Sequence, residues 1–397
     1  MNHHVLSHHA VPLAGPRASV LSRLYHAGLD SFLLLPIGAA IALLWANTAS
    51  ESYFEFAHAS SFAVNDVAMA FFLALIVQEV LEALMRGGAL HSFRFWGLPL
   101  IAAAGGMLGA TGVYLAYVHW QYETVLVQAW PVMAAIDVAV PYYLLKTVWR
   151  RSNALPFFLL LALVTDAFGV LVIALRPGTA SFHNGGMLLL ATAVGSAALL
   201  AYTRVRSFWP YLAVCGTASW VGLYMMDLYP ALALVPIVPF LPREPRSLDV
   251  FADRKPDDAV HRFEHEWNEG VQVVLFLFGL VNAGVILKGY DTGTWAMLAA
   301  SLVGRPLGVV VAVAVAAALG FRLPARVGWR EIAIVALATS CGFTFALFFA
   351  TGTVATGPIL AQIKLGALGT AAAIGVTLGA ARLLHVGRFA RHEGRRG

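Results

Sequence analysis

The chain has 397 residues, 59% hydrophobic and only 12% charged, with a mean hydropathy of +0.75. A soluble domain carries about 25% charged residues, so composition excludes an ordinary soluble fold and points to an all-α polytopic membrane protein. The net charge of +5 and a pI near 9.3 would suit a nucleic-acid partner, and the placement of the charge has to decide that point.

Residues 1–28 hold His3, His4, His8, His9 and His26 and no long apolar run. That is no secretory signal. A cytoplasmic tail is the reading, with a metal-binding tract as its alternative. About 20 apolar residues span a bilayer. Twelve such segments lie near 30–47, 66–85, 97–117, 127–145, 155–175, 186–202, 208–225, 228–241, 269–287, 293–319, 331–351 and 359–381. The eighth is short and carries Pro230, Pro236 and Pro239.

The loops orient these spans. Of the 26 Lys and Arg, 22 fall on the side of the N-terminus, from Arg17 and Arg23 through Lys146, Arg150 and Arg151 to the five arginines from Arg382 onward. The opposite loops hold Arg176 and Lys288, and Arg305 and Lys364 fall inside spans. This asymmetry is the positive-inside rule. It predicts a multi-pass membrane protein with both termini cytoplasmic. It also explains the pI, and the nucleic-acid partner drops out. Residues 48–63, polar and aromatic without Lys or Arg, form the longest early external loop. Residues 242–268 are a charged linker, 29–385 a transmembrane domain with core helices at about 97–175 and 293–381, and 386–397 a basic cytoplasmic tail.

Four positions carry chemistry. Asp166 sits in LVTDAFGVLVIAL, residues 163–175, an apolar run in which a charge costs roughly 2.5–3.5 kcal/mol to insert. Its carboxylate, the Thr165 hydroxyl and exposed carbonyls near Gly169 are hard oxygen donors for a small alkali cation or a proton. The alternative is a buried Asp bonded to a neighbouring helix. Asp137 lies between Pro131 and Pro141, which predicts a broken helix. Irregular backbone at membrane depth is tolerated only where it is buried or lines a cavity. There Asp137 either balances helix-dipole ends or ligates an ion. A second break is expected at Gly342 in SCGFTFALFFATG, with Thr344 beside it. Interruptions at corresponding places in two halves mark a transporter site. Arg305, in GRPLG, either snorkels to the interface or pairs with Asp166 or Asp137.

An enzyme finds no support, since no nucleophile–base pair, phosphate loop or metal triad stands out. Glu264, His265 and Glu266 read as a solvated helix start rather than a metal cluster. Cys215 and Cys341 read as small buried residues rather than a disulfide.

The stretches NDVAMAFFLALIVQEV, IAAAGGMLGATGVYL, AAIDVAV, TDAFGVLVIAL, EHEWNEG with FGLVNAGVILKG, VGRPLGV, CGFTFALFF and AQIKLGALG occur in this order over roughly residues 30–385. Together they resemble the NhaA-type sodium/proton antiporters, an example of inverted-repeat transporters. The resemblance implies twelve helices with an inverted repeat, two crossed, unwound helices and a homodimer joined through residues 48–63. It implies Na+ or Li+ and H+ as transported ions, with no further cofactor. Asp166 matches the cation- and proton-binding aspartate and Asp137 the aspartate at the helix crossing. Arg305 matches a lysine, and Glu79, Glu264 and His265 match a cytoplasmic pH-sensing face.

The departures sharpen this expectation. Thr165 stands where the family has a second aspartate, Arg305 where it has lysine, and Ile136 where a threonine precedes the crossing aspartate. Residues 77–83, VQEVLEA, lack the family's basic pair, and Tyr229 takes the place of a histidine. One carboxylate is neutralised by one Na+ or one H+. Arginine stays protonated where a buried lysine can release its proton. The expected exchange is therefore one for one and electroneutral. Alternatives on the same fold are a K+/H+ exchanger, an organic-anion transporter attracted by Arg305, and a non-transporting regulatory relative.

Overall fold

A computed structural model describes residues 34–84, 93–134, 136, 139–149, 152, 154–174, 184–205, 207–241, 259–288, 290–324, 327–354 and 357–389. Asp137, the 1–28 tail, most of the 242–268 linker and the far end of the basic tail lie outside the described residues. Helices are the regular structure of the described parts.

Helix α1 (Leu34–Thr48) is followed by α2 (Ser50–Ser61), which runs through a π-helical turn, Phe62–Ala68, into α3 (Met69–Leu84). The long α4 (Phe93–Trp120) leads to a 3-10 segment, Thr124–Ala134, and then α5 (Ala139–Val148). Next come α6 (Ala154–Ala174), α7 (Asn184–Tyr202) and α8 (Thr217–Met225), the last entered through a π-turn at Tyr211–Gly216. After α9 (Ala259–Asn282), α10 (Thr292–Ala299) passes through a third π-turn, Ala300–Gly304, into α11 (Arg305–Ala318). Helices α12 (Trp329–Ala338), α13 (Phe343–Thr353), α14 (Pro358–Gly369) and α15 (Ala373–Leu383) complete the chain.

Six helices among the described residues are long and apolar enough to cross a membrane, and four apolar helices are shorter. Two of the predicted elements differ in kind. Residues 48–63 are not a loop: Ser50–Gln78 is one continuous helical span. Tyr53 drives this, because its ring is buried and its hydroxyl donates to the Val281 carbonyl at 2.9 Å while accepting from Gly284 N at 2.9 Å. Asn47 adds bonds to Val285 O and Leu287 N. The short eighth span is no helix either. Its prolines break the ladder, and 230–240 forms 3-10 turns at Pro230–Leu232 and Val238–Phe240 with buried Leu232, Leu234 and Ile237. That follows from proline's missing N–H and its clash with the preceding turn.

Between lipid-embedded helices there is little hydrophobic drive, so close packing and small residues decide which pairs form. The tightest pair is α4 with α11. Gly105 and Gly109 on α4 meet Gly308 of α11 and Gly304 just before it, near enough that a Cβ at Gly308 would overlap the Gly105 carbonyl oxygen. Gly38 of α1 and Gly279 of α9 make a second such contact, and Gly186 of α7 and Gly222 of α8 a third. One buried cluster joins α4, α5, α6, α11, α12 and α15, and another joins α3, α7 and the 208–241 stretch.

Gly308→Ala is expected to lower the thermal midpoint of the purified protein by several degrees, because backbone blocks the added methyl. Gly112→Ala, where nothing lies within 4 Å of a new Cβ, is expected to leave it unchanged or slightly raised. Scanning both by tryptophan fluorescence in detergent checks the difference, and equal midpoints would remove the close crossing as a determinant of stability.

Candidate functional site

The site begins with two interrupted helices. The first is the pair formed by the 3-10 segment Thr124–Ala134 and α5, with Ile136 non-helical between them. Pro131 lies inside the 3-10 half, and Pro141 opens the α-helical half. The second is the pair α12 and α13. Helix α12 ends at Ala338, Thr339 and Ser340 form a turn, and Cys341 and Gly342 are non-helical before α13 starts at Phe343. The chain is non-helical at Ile136 and at Gly342, while Thr344 lies inside α13 and not in an unwound stretch; Asp137 itself lies outside the described residues.

The halves pair crosswise. The 3-10 segment packs against α13, and α5 packs against α12. Helix α6, which carries Thr165 and Asp166, touches all four halves. The helix that carries the acid thus lies against both interrupted helices. Asp166 is 7% exposed and Thr165 fully buried. The Thr165 hydroxyl donates to the Leu161 carbonyl one turn back at 2.8 Å. Its proton is thus committed within the helix, as is common for a threonine in a helix interior, while its oxygen keeps lone-pair capacity. One turn beyond Asp166, Gly169 lets the Phe349 ring of α13 approach so closely that a Cβ there would stand 2.7 Å from Cζ.

Arg305 is 1% exposed, so it does not snorkel to an interface. Its Nη2 donates to the Met133 carbonyl at 2.7 Å. That carbonyl belongs to the last turn of the 3-10 half, where unpaired backbone oxygens concentrate negative charge. The guanidinium therefore serves the C-terminal end of a broken helix through main chain, a partner the sequence reading did not consider. A Cβ at Gly106 would sit 3.6 Å from Arg305 Cγ, so the glycine-lined face of α4 gives the arginine stem its channel. The N-terminal side of the other break has its own partner. Gly342 N donates to Thr370 Oγ1 at 3.4 Å, and that hydroxyl in turn donates to the Ala367 carbonyl. Thr370 opens the short 3-10 stretch Thr370–Ala372 between α14 and α15. A threonine beside a glycine-rich kink carries no distinctive sequence signal, and only the fold brings it to Gly342.

Gly342 caps α13 and Thr344 lies in its first turn. The residues matched to a pH-sensing face are not in this cluster: Glu79 lies in α3 and Glu264 and His265 early in α9. The two cysteines are buried and are not joined by a disulfide.

A many-helix membrane bundle with two interrupted helices packed on each other, a buried acid on a helix that touches both and a buried cation on a helix end is the architecture of a secondary transporter. The comparisons give the family. Residues 23–383 match the family described as Na+/H+ antiporter 1. The chain is 36% identical over 362 residues to the Na(+)/H(+) antiporter NhaA of Geotalea uraniireducens, covering 88% of this chain and 94% of the relative. It is 37% identical over 367 residues to the Na(+)/H(+) antiporter NhaA 1 of Pelobacter propionicus, covering 89% and 95%. The chain belongs to the NhaA-type Na+/H+ antiporter family, a family of multi-pass membrane transporters and not of enzymes. The fold is also similar to the sodium proton antiporter MjNhaP1 from Methanocaldococcus jannaschii, with a TM-score of 0.55 at 15% identity. That match covers 92% of this chain and 95% of the other.

Arg305→Met is expected to destabilise the protein by about 1–3 kcal/mol, since it strands the Met133 carbonyl in a buried position. Arg305→Lys, which keeps a donor and a charge, is expected to recover part of that loss. Denaturation of both variants in one detergent checks the order; a methionine variant as stable as the parent would mean the bond does not hold the break.

Proposed function

We propose that this chain exchanges Na+ or Li+ for H+ across a bacterial inner membrane by alternating access, one for one and without net charge movement. The observation that carries the stoichiometry is the environment of Thr165, buried beside Asp166 with its proton bonded to Leu161 O. A threonine hydroxyl has no carboxylate to titrate. Arg305 holds its proton permanently and is engaged at Met133. Asp166 is then the proton-carrying group.

In this reading Asp166 binds either a proton or a cation, with the Thr165 oxygen as a neutral ligand and Asp137 contributing at the crossing. Neutralised Asp166 passes between the two faces, while the bare carboxylate is held back by the cost of moving a charge through a dry environment. Proton and cation compete for one group, so transport depends on pH without a separate sensor. Glu79, Glu264 and His265 would adjust that response from the cytoplasmic side. Gly342, just ahead of α13 and its first-turn residue Thr344, supplies the interruption that lets backbone groups take part.

The topology belongs to the same proposal: both termini cytoplasmic, core helices at about 97–175 and 293–381, and a homodimer joined through residues 48–63. The helical form of that segment supports a rigid contact, with Tyr53 turned inward and Phe54 exposed. A second reading, transport of an organic anion, draws on Arg305, whose Nε and Nη1 are buried without a hydrogen-bond partner among the described residues.

Reconstitution into proteoliposomes separates these readings. A Na+ or Li+ gradient is expected to drive proton movement, and an imposed membrane potential to leave the rate unchanged. Acceleration by the potential would end the electroneutral reading, and uptake of an organic anion without cation-driven proton movement would favour the second one. Asp166→Asn is expected to abolish exchange. Thr165→Asp adds a second titratable group and is expected to make the remaining exchange respond to potential.

A further inference from the structure

We propose that the end of the molecule shared by α5, α12 and α15 is a docking surface for anionic phospholipid, with Arg382 and Arg388 as its headgroup clamp. Packing gathers the charge there. Helices α5, α12 and α15 contact one another, and the turn Gly387–Phe389 packs on both α5 and α15. Val148, Trp149, Val327 and Val386 are buried in the shared cluster, with Phe389 packed against it. On these same elements and the stretch leading into α12, Lys146, Arg322, Arg330, Arg382 and Arg388 are all exposed. Across residues 139–149, 319–338 and 373–389 the one acidic residue is Glu331. Its carboxylate is turned back to accept from Gly328 N at 2.9 Å. The patch is basic, and its single acid is already engaged.

Two of these cations are held in place. After α15 the chain turns back, with Val386 N donating to the Ala381 carbonyl at 3.0 Å and His385 and Gly387 at positive φ. A Cβ at Gly387 would overlap the Val148 carbonyl oxygen. Conformation and contact both call for glycine at this position. The turn brings Phe389 to two guanidinium groups, Arg382 at 5.3 Å and Arg388 at 4.7 Å from the ring centroid. Neither arginine has a carboxylate partner among the described residues. A guanidinium resting on a ring keeps its in-plane N–H donors, and two such forks suit the oxygens of a phosphate.

The apolar surroundings commit the site to a lipid. Leu383, next to Arg382, is 81% exposed, and Val376 lies exposed two turns back on α15. Trp329, at the start of α12, is exposed as well, in keeping with the tryptophans that mark membrane–water interfaces. An amphiphile satisfies both features at once, with acyl chain along α15 and phosphate on the arginines, whereas a soluble anion uses only the second. Basic sites between helix ends on the cytoplasmic side are suited to anionic headgroups. The location gives occupancy a consequence. Helices α5 and α12 are halves of the two interrupted helices, so a headgroup bound here braces the ends remote from the breaks.

The proposal takes from the exchange reading only its topology, in which this end faces the anionic cytoplasmic leaflet. Its test involves no transport, so failure of the exchange reading leaves it standing. The thermal midpoint of the purified protein in neutral detergent is measured with phosphatidylglycerol, with phosphatidylcholine and with inorganic phosphate. Phosphatidylglycerol is expected to raise the midpoint by several degrees over phosphatidylcholine, and inorganic phosphate to leave it unchanged. Each variant is compared with its own midpoint in phosphatidylcholine. The double variant Arg382→Gln, Arg388→Gln is expected to lose most of the rise and Phe389→Leu part of it. Lys288→Gln, in the turn after α9, is expected to keep it whole. No rise in the parent, or a rise that survives in the double variant, overturns the surface. A rise with inorganic phosphate as large as with phosphatidylglycerol overturns the lipid as its occupant. Should the double variant fail to fold, phosphatidylglycerol retained per protein after detergent washing is counted in each single variant. Less lipid than in the parent supports the clamp, and equal retention overturns it.

Discussion

The contact on which the site depends is the meeting of α4 and α11 through glycine. In a bilayer, lipid tails already satisfy apolar side chains, and helix pairs are chosen by how closely backbones can approach. Gly105 and Gly109 facing Gly304 and Gly308 remove the side chains that would hold the two helices apart. That approach fixes Arg305, at the first residue of α11, with its stem along Gly106 and its guanidinium on Met133 O. The bond in turn fixes the end of the 3-10 half-helix. A stripe of four glycines thus sets the position of a buried backbone carbonyl.

The two breaks pose the same physical problem and meet it by different means. An interrupted helix leaves carbonyls unpaired at one half's end and N–H groups unpaired at the other half's start. Lipid offers no partner for either. At the first break a buried cation takes a carbonyl. At the second a neutral hydroxyl, Thr370, takes the N–H of Gly342. Helix α6, which carries Asp166, touches all four halves and so packs on both arrangements. The partners are asymmetric in charge, and that asymmetry belongs to the protein whatever ion is bound.

Much of this could be read from the chain, and the limits are physical. Asp166 and Arg305 stood out because charges are expensive in apolar runs, and the breaks because Pro131, Pro141 and Gly342 cannot continue a regular ladder. Burial then ruled out a snorkelling Arg305. Residues 48–63 misled because polarity signals a loop only when nothing tertiary competes. Tyr53 and Asn47 reach across to α9 and the non-helical stretch after it, residues far away in sequence. Residues 228–241 misled in the opposite direction, since their apolar content is real but three prolines turn it into buried 3-10 turns. Partners such as Met133 O and Thr370 were invisible for a simpler reason: a backbone carbonyl has no sequence signature, and threonine is common.

The most consequential residue is then the least conspicuous one. Thr165 is buried next to Asp166 and could have been an acid without altering the helix, since aspartate also fits that volume. As threonine it satisfies its own donor on Leu161 and leaves the helix intact. It asks nothing of its surroundings in any protonation state, whereas a second carboxylate there would have to be protonated, paired or paid for by desolvation. The fixed charge at Arg305 is already engaged by the dipole end at Met133, and the arginine's lack of an accessible neutral form keeps it so. What can change charge beside the four half-helices, among the described residues of α6, is Asp166 alone.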